Sequence, residues 1–183
     1  MSDLDIRYEA AGWRVRVEPD NDAESPDFLW ESDESFIVSF HRQFTVTRKG
    51  LGSPEDIGEW EEDYSIIPLS AYIHSGVHLY TGTDKMCRWD SCQVGYVLVK
   101  KDIWLLRYAE ASELAERIVG IWNTYLSGDV WRVVVEKLSC SGCGTWEEHD
   151  SLSCIYGEDG VDPEVERWAE HLASFNKGEA CTT

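Results

Sequence analysis

Alternation of apolar and charged residues is the first pattern in this chain. Trp13 to Glu18 (WRVRVE) alternates like a half-buried strand, because successive side chains of a strand point to opposite faces. Pro68 predicts an edge position or a bulge in its strand, since proline has no backbone N–H to donate. Longer apolar runs predict further strands at Phe36–Val46, Ser65–Ile73, Gln93–Val99 and Val130–Leu138, with Trp146–Tyr156 returning beside the last as a hairpin.

Two stretches show the three- and four-residue spacing of amphipathic helices. From Ser112 to Leu126 the apolar residues recur on one face, and Gly128 is placed to end the helix. A second helix opens at Asp162 as N-cap, with Pro163 in its first turn. Its predicted inner stripe consists of Val165, Trp168, Ala169, Leu172 and Phe175.

The segment from Thr47 to Asp63 is acidic, contains glycines and lacks periodicity, which predicts an exposed loop with one helical turn after Ser53-Pro54. Together these elements predict an α+β fold, in which an antiparallel sheet of five or six strands packs against two helices. A chain of 183 residues fits a single domain, residues 1–183, with an acidic and partly flexible N-terminal region over residues 1–34.

No apolar run approaches the roughly 18 residues of a membrane-spanning helix. The first residues, MSDLDIRYEA, lack the basic and apolar regions of a secretory signal, so we expect a cytoplasmic protein. In that compartment the six cysteines are expected to be reduced thiols or metal ligands.

The charge balance narrows the possible partners. The chain has 35 acidic and 16 basic side chains, for a formal net charge of −19. DNA, RNA and anionic membranes need a cationic surface, so direct binding to them is disfavoured. The acids cluster in residues 3–34, 55–63 and 158–170. Two interpretations remain open: a solvated surface, such as one adapted to high salt, or an acidic face shaped for a basic partner.

Residues 74–97 (HSGVHLYTGTDKMCRWDSCQVGYV) concentrate residue types that occur in active sites. A cysteine nucleophile with a histidine base would use Cys87 or Cys92 with His74 or His78, and Asp90 would orient the ring. The alternative is a scaffold loop rich in turn-forming residues. We expect the scaffold, with Trp89 buried against the sheet and the Asp90 carboxylate accepting backbone N–H bonds. Trp89→Ala would then cost about 3 to 5 kcal/mol.

A second candidate centre is a cysteine and histidine pattern with the spacing C-x2-C-x5-H-x4-C. Tetrahedral zinc takes four such ligands, and a site with four protein ligands is structural rather than catalytic. Cys87 and Cys92 are substitute ligands, and free thiols in a hairpin are the alternative. The predicted zinc ligands are Cys140, Cys143, His149 and Cys154.

The order of motifs over residues 24–157 resembles a widespread family of small acidic proteins of uncharacterised function, encoded largely by phages, plasmids and other mobile elements. The resemblance rests on HSG at residue 74, WDS-x-QVG at residue 89 and YLSGDV at residue 125. It implies a phage or plasmid origin and brings no catalytic residue with it. Members commonly carry glycine in place of Cys92 and Trp-Gly-Phe near Cys154, which argues against a shared cysteine active site.

Charge, missing catalytic signatures and this resemblance together predict a non-enzymatic protein that mimics DNA. Its acidic face would occupy a host nucleic-acid-binding defence protein of the restriction or CRISPR type, through that partner's basic surface. The alternatives are a cysteine- or metal-dependent hydrolase of a nucleotide signal, and a structural accessory protein of a virion. The predicted partner-binding residues are Glu55, Asp56, Glu59, Glu61, Glu62, Asp63, Glu164, Glu166 and Glu170.

Overall fold

Strands dominate the computed structural model, and they form two antiparallel sheets rather than one. The structure describes residues 5–29, 35–48, 50–83, 89–101, 110–140 and 142–179. The α+β class is confirmed, whereas the single sheet of five or six strands is replaced by sheets of four and five strands. Where the sequence predicts one domain, the chain groups into two units, residues 1–23 with 128–183 and residues 24–127.

The first unit is a four-stranded sheet with one helix. Its strands lie in the order β1-β2-β8-β9. Their bounds are Asp5–Ala10 (β1), Trp13–Pro19 (β2), Val130–Cys140 (β8) and Thr145–Tyr156 (β9), and helix α2 spans Val161–Glu179. Thus residues 5–19, within the predicted N-terminal region, form two strands of this sheet.

The alternation seen in β2 separates the two faces of this sheet. Val15 and Val17 are buried and pack with Val133 and Val135 of β8 against Val165 and Leu172 of α2. The intervening Arg14, Arg16 and Glu18 project from the other face, as the two-residue period of a strand requires. One sheet face therefore holds the apolar core, and the other holds charges.

The second unit is a five-stranded sheet with apolar clusters on both faces, and its strands, named below, lie in the order β4-β3-β7-β5-β6. Ile118 and Trp122 of helix α1 (Ala111–Leu126) are buried among Ile37, Leu69 and Val97. The opposite cluster gathers around Phe36 and includes Trp60. The elements of the unit are β3 (Ser35–His41), β4 (Phe44–Val46), β5 (Tyr64–Ile73), β6 (Val77–Thr81), β7 (Ser91–Lys100), α1 (Ala111–Leu126) and the 3-10 helices Pro26–Leu29 and Pro54–Trp60.

The bulge predicted near Pro68 is present in β5. Pairing of β5 with β6 begins at Leu69, and the register of β5 against β7 shifts directly after that residue.

At the outer strand β6, the Asn123 side chain of α1 accepts the Leu79 N–H at 2.7 Å and donates to the Leu79 carbonyl at 2.8 Å. A side-chain amide thus takes the place of a neighbouring strand at that position.

Two predicted boundaries differ from the structure. Phe36–Val46 is a hairpin of β3 and β4, in which His41 pairs with Phe44 across the polar pair Arg42-Gln43. Helix α2 begins at Val161, because the 3-10 turn Glu158–Gly160 runs directly into it, so Asp162 lies in the first turn.

In the described part of the chain, no helix combines the length and apolar content needed to cross a membrane.

Candidate functional site

The acidic segment from Glu55 to Asp63 is fixed to the sheet of the second unit. Ile57 and Trp60 of its 3-10 helix pack against the Phe36 cluster, and the Trp60 ring lies 5.9 Å from that of Phe36. Polar bonds add to this anchorage, because Asp56 Oδ2 accepts the backbone N–H of Gly52 at 3.0 Å and that of Ser53 at 2.8 Å. The helical turn predicted after Ser53-Pro54 is present as the 3-10 helix Pro54–Trp60, and the segment predicted as an exposed loop has an apolar inner side.

The outer side of this segment carries carboxylates that form no ion pair with the described residues. Glu55, Glu59, Glu61, Glu62 and Asp63 are exposed, whereas Asp56 is half-buried by its structural role. None of these six carboxylates forms an ion pair with another described residue. A hydrogen bond from the Ser53 hydroxyl lowers the pKa of Glu55, so that carboxyl stays ionised. Lys101 approaches the segment through the backbone, with Nζ 2.7 Å from the carbonyl oxygen of Glu61.

The predicted acidic residues of α2 fall into two groups. Glu164 is half-buried and pairs with Arg167, with Oε2 2.5 Å from Nη2, so its charge is locally compensated. Glu166 and Glu170 are exposed and have no ion pair among the described residues. Asp162, Glu166 and Glu170 are four residues apart and share one helix face, with about 6 Å of rise between neighbours. Asp162 extends this row at its start, where one oxygen lies 3.3 Å from Nη1 of Arg7.

The arginines of the first unit are engaged internally, which the sequence alone does not indicate. On the charged face of its sheet, Glu136 lies between Arg14 at 2.5 Å and Arg16 at 3.3 Å. The pattern continues across the sheet, where Arg132 contacts both Glu18 and Glu148. Arg7 and Arg167 pair with Asp162 and Glu164, so each of the five arginines in this unit has an acidic partner within it.

Residues 74–97 bring together only part of the predicted catalytic set. Nδ1 of His74 lies 3.8 Å from Oδ2 of Asp90, and the His74 side chain is exposed. His78 is exposed on β6 opposite Tyr72. Cys92 instead lies on β7 opposite the fully buried Ala71 and packs against the apolar core under α1. Cys87 lies outside the described residues.

The predicted burial of Trp89 is wrong, because 84% of this residue is exposed. The turn before β7 is fixed by backbone bonding, since the Asp90 carbonyl accepts the Ile73 N–H at 2.8 Å. Asp90 therefore positions this turn through its main chain, with its carboxylate near His74. The sequence prediction rested on a large aromatic residue beside turn-forming residues. That pattern did not indicate that the Trp89 side chain is exposed.

Of the predicted zinc ligands, only Cys140 and Cys143 come together, at the turn between β8 and β9. The Cys143 N–H donates to Sγ of Cys140 at 3.3 Å, and a hydrogen bond with Cys140 lowers the pKa of the Cys143 thiol. His149 forms a T-shaped ring contact with Trp13, with ring centroids 5.0 Å apart. Cys154 lies nine residues beyond Thr145 on the same strand, about 30 Å away at the usual rise per residue. These four residues therefore do not form one metal site.

A cleft in the first unit was also not predicted. Its volume is about 340 Å³, and it lies where α2 meets the sheet. Trp13 forms part of its wall, and Nζ of Lys137 lies 5.1 Å from the centre of that ring. The sequence signal was limited to His149 and the inner stripe of α2. The lining consists of Trp13, Lys137, His149, Asp150, Trp168, His171 and Leu172.

Comparison of the chain with models of protein families, with curated proteins and with solved structures finds no match. The resemblance to acidic proteins of mobile elements therefore stays a prediction.

Proposed function

We propose that this is a non-enzymatic interaction protein that binds a basic, nucleic-acid-binding partner through its exposed carboxylates. The proposal is carried by one observation. The arginines of the first unit pair with acids of that unit, whereas the side chains of Glu59, Glu61, Glu62, Glu166 and Glu170 form no ion pair among the described residues. Because these arginines are already paired, they leave Glu166 and Glu170 of the same unit without an ion pair, and clustered unpaired carboxylates raise the local negative potential.

The ordered elements that carry these carboxylates favour a surface that recognises a partner over one that only keeps the protein soluble. A solubilising surface needs charge but no fixed spacing, whereas an imitation of duplex DNA needs rows of charge on a stiff backbone. Duplex DNA carries one negative charge for about every 1.7 Å of its axis. Ile57 and Trp60 anchor one acidic segment to a sheet, and α2 spaces Glu166 and Glu170 by one helical turn. Both arrangements fix the backbone that carries these carboxylates before a partner arrives, which lowers the entropic cost of binding.

The finer form of the proposal follows from the predicted origin. In the cytoplasm of a bacterial host, a mobile element gains from blocking the nucleases that attack its DNA. The proposed partner is a restriction or CRISPR-type protein, whose basic DNA-binding channel would accept the acidic surface. A hydrolase built on residues 74–97 is less well supported, since Cys92, the nucleophile candidate within the described residues, packs against apolar side chains.

The experiment is capture of partners from host lysate by the tagged protein, at about 0.1 M and at higher salt. Exposed charge interactions are screened over about 10 Å at 0.1 M salt and over shorter distances above it. Captured nucleic-acid-binding proteins should therefore be released as salt rises. Each captured nuclease is then assayed for DNA cleavage with increasing amounts of the protein.

A matched set of variants tests the acidic surface itself. Glu59→Gln with Glu61→Gln, and separately Glu166→Gln with Glu170→Gln, each remove two charges. Glu113→Gln with Glu116→Gln removes the same charge from exposed positions on α1 and serves as the control. The first two pairs should weaken nuclease inhibition more than the control does. Equal effects of all three pairs would show that only net charge matters and would reject the proposed surface.

A further inference from the structure

The turn that joins β8 to β9 holds two thiols in a defined geometry. The N–H of Cys143 donates to Sγ of Cys140 at 3.3 Å, and the N–H of Gly144 donates to the Cys140 carbonyl at 2.9 Å. Gly144 has a φ of +66°, a left-handed conformation that glycine adopts without strain. Thr145 Oγ1 lies 2.9 Å from Sγ of Cys143. The Cys143 N–H and the Thr145 hydroxyl thus each contact one of the two thiols at the tip of the hairpin.

We propose that Cys140 and Cys143 form a two-thiolate half-site for Zn²⁺, and that one ion is held between two copies of the chain, each supplying both sulfurs. Zinc in structural sites is tetrahedral, and four cysteine thiolates are one of its common ligand sets. Each Zn–S bond forms as a thiol proton leaves to solvent, and no change of oxidation state is involved. The N–H donated to Cys140 Sγ supplies the second-sphere hydrogen bond that orients a metal-bound sulfur.

The second copy supplies the two further ligands that a tetrahedral zinc ion needs beyond the two thiolates of one turn. Among the described residues, no group of three or more histidine, cysteine or acidic side chains is arranged to hold a metal ion. His149 is engaged with Trp13, and Cys154 lies toward the other end of β9. Gly142, Cys143, Gly144 and Thr145 are all exposed, so the tip is open to an equivalent tip. A shared divalent cation would also offset part of the repulsion between two acidic chains.

The proposal is tested with the full chain, kept reduced and stripped of metal by a chelator. ZnCl₂ is titrated in competition with a chromophoric chelator, while light scattering after size exclusion gives the mass. We expect half a zinc ion per chain and a doubling of mass that a strong chelator reverses. CoCl₂ as a spectroscopic probe should give the near-ultraviolet thiolate-to-metal band and the visible bands of a tetrahedral site.

Variants separate this site from the other cysteines. Cys140→Ser and Cys143→Ser should each abolish the cobalt thiolate bands and the mass increase, with circular dichroism unchanged. Cys154→Ser and Cys92→Ser are matched controls that should keep both. One ion per monomer, loss of binding in Cys154→Ser, or no zinc-dependent mass change would each overturn the proposal. None of these results bears on the acidic surface, because the proposal rests on the turn alone.

Discussion

Arg14 and Glu136 lie directly opposite each other on β2 and β8, with Nε of the arginine 2.5 Å from Oε2 of the glutamate. Their side chains are only 13% and 10% exposed, and Arg16 approaches the second carboxylate oxygen at 3.3 Å. The interaction joins residues that are 122 positions apart in the chain. It therefore ties the N-terminal strands to the C-terminal hairpin within one sheet.

Replacing Glu136 with glutamine should destabilise the first unit markedly. The substitution leaves the largely buried Arg14 guanidinium without a carboxylate partner among the described residues and leaves Arg16 with Glu18 alone. Breaking a buried ion pair typically costs about 3 to 5 kcal/mol. The measurement is the free energy of unfolding in urea, which does not screen charge. Glu148→Gln is the control, since this more exposed partner of Arg132 should contribute about 1 kcal/mol or less. Similar losses in the two variants would contradict the assigned importance of burial.

Stability should also fall in acid through Glu136. Burial raises the pKa of Glu136, but hydrogen bonds from Arg14 and Arg16 outweigh this effect and hold the pKa below its ordinary value. The folded state thus releases the proton more readily than the unfolded state does. The contribution is complete above the unfolded carboxyl pKa of about 4.3 and is lost as pH falls through the lower folded value. Urea unfolding between pH 7 and pH 3 should show a steeper loss for the parent than for Glu136→Gln, and parallel curves would refute the assignment.

Trp89→Ala should leave stability almost unchanged, within about 0.5 kcal/mol, as is usual for exposed positions. Trp122→Ala is the matched comparison, because Trp122 is 3% exposed and packs against Phe44 in the core. Its loss should reach about 3 to 5 kcal/mol. The measurement is the melting temperature of both variants. A large loss of stability in Trp89→Ala would contradict the exposed position of this residue and support the burial that the sequence predicts.

Gly95→Ala should be among the most damaging single substitutions in the second unit. A Cβ atom at residue 95 would lie 1.9 Å from the carbonyl oxygen of Val38 on the adjacent strand, so the backbone would have to move. Forcing extra volume into a packed core costs about 1 to 3 kcal/mol and sometimes more. Gly58→Ala is the control, since its Cβ would meet no atom within 4 Å. Soluble yield and melting temperature report the difference, and equal behaviour of the two variants would count against the close approach of β3 and β7.

Sequence pattern predicted the elements that local physics determines. Helix α1 and strands β2, β7 and β8 follow from periodicity, because burial of one face or of both faces imposes that pattern. Local sequence pattern does not predict the division into two sheets, since the pairing of β2 with β8 spans more than a hundred residues. Nothing local in Phe36–Val46 distinguishes one long strand from a hairpin with a polar two-residue turn.

The candidate sites were predictable only in part, for related reasons. Exposure of the acidic segment follows from its composition, whereas its anchorage by Ile57 and Trp60 depends on a distant strand. The four-ligand zinc site failed because nearness in sequence is not nearness in space along an extended strand. The cleft around Trp13 and His149 combines residues from three separate strands and a helix, which no single motif contains.

The contact between Asn123 and Leu79 has a consequence for how copies of this protein meet at high concentration. An outer strand normally presents free N–H and C=O groups, and another chain can add to them and begin aggregation. Here an amide side chain already fills both groups of Leu79, in the centre of the short strand β6. Asn123→Leu would be nearly isosteric yet would leave the Leu79 N–H and C=O without these partners, so we expect this variant to aggregate at lower concentrations than the parent.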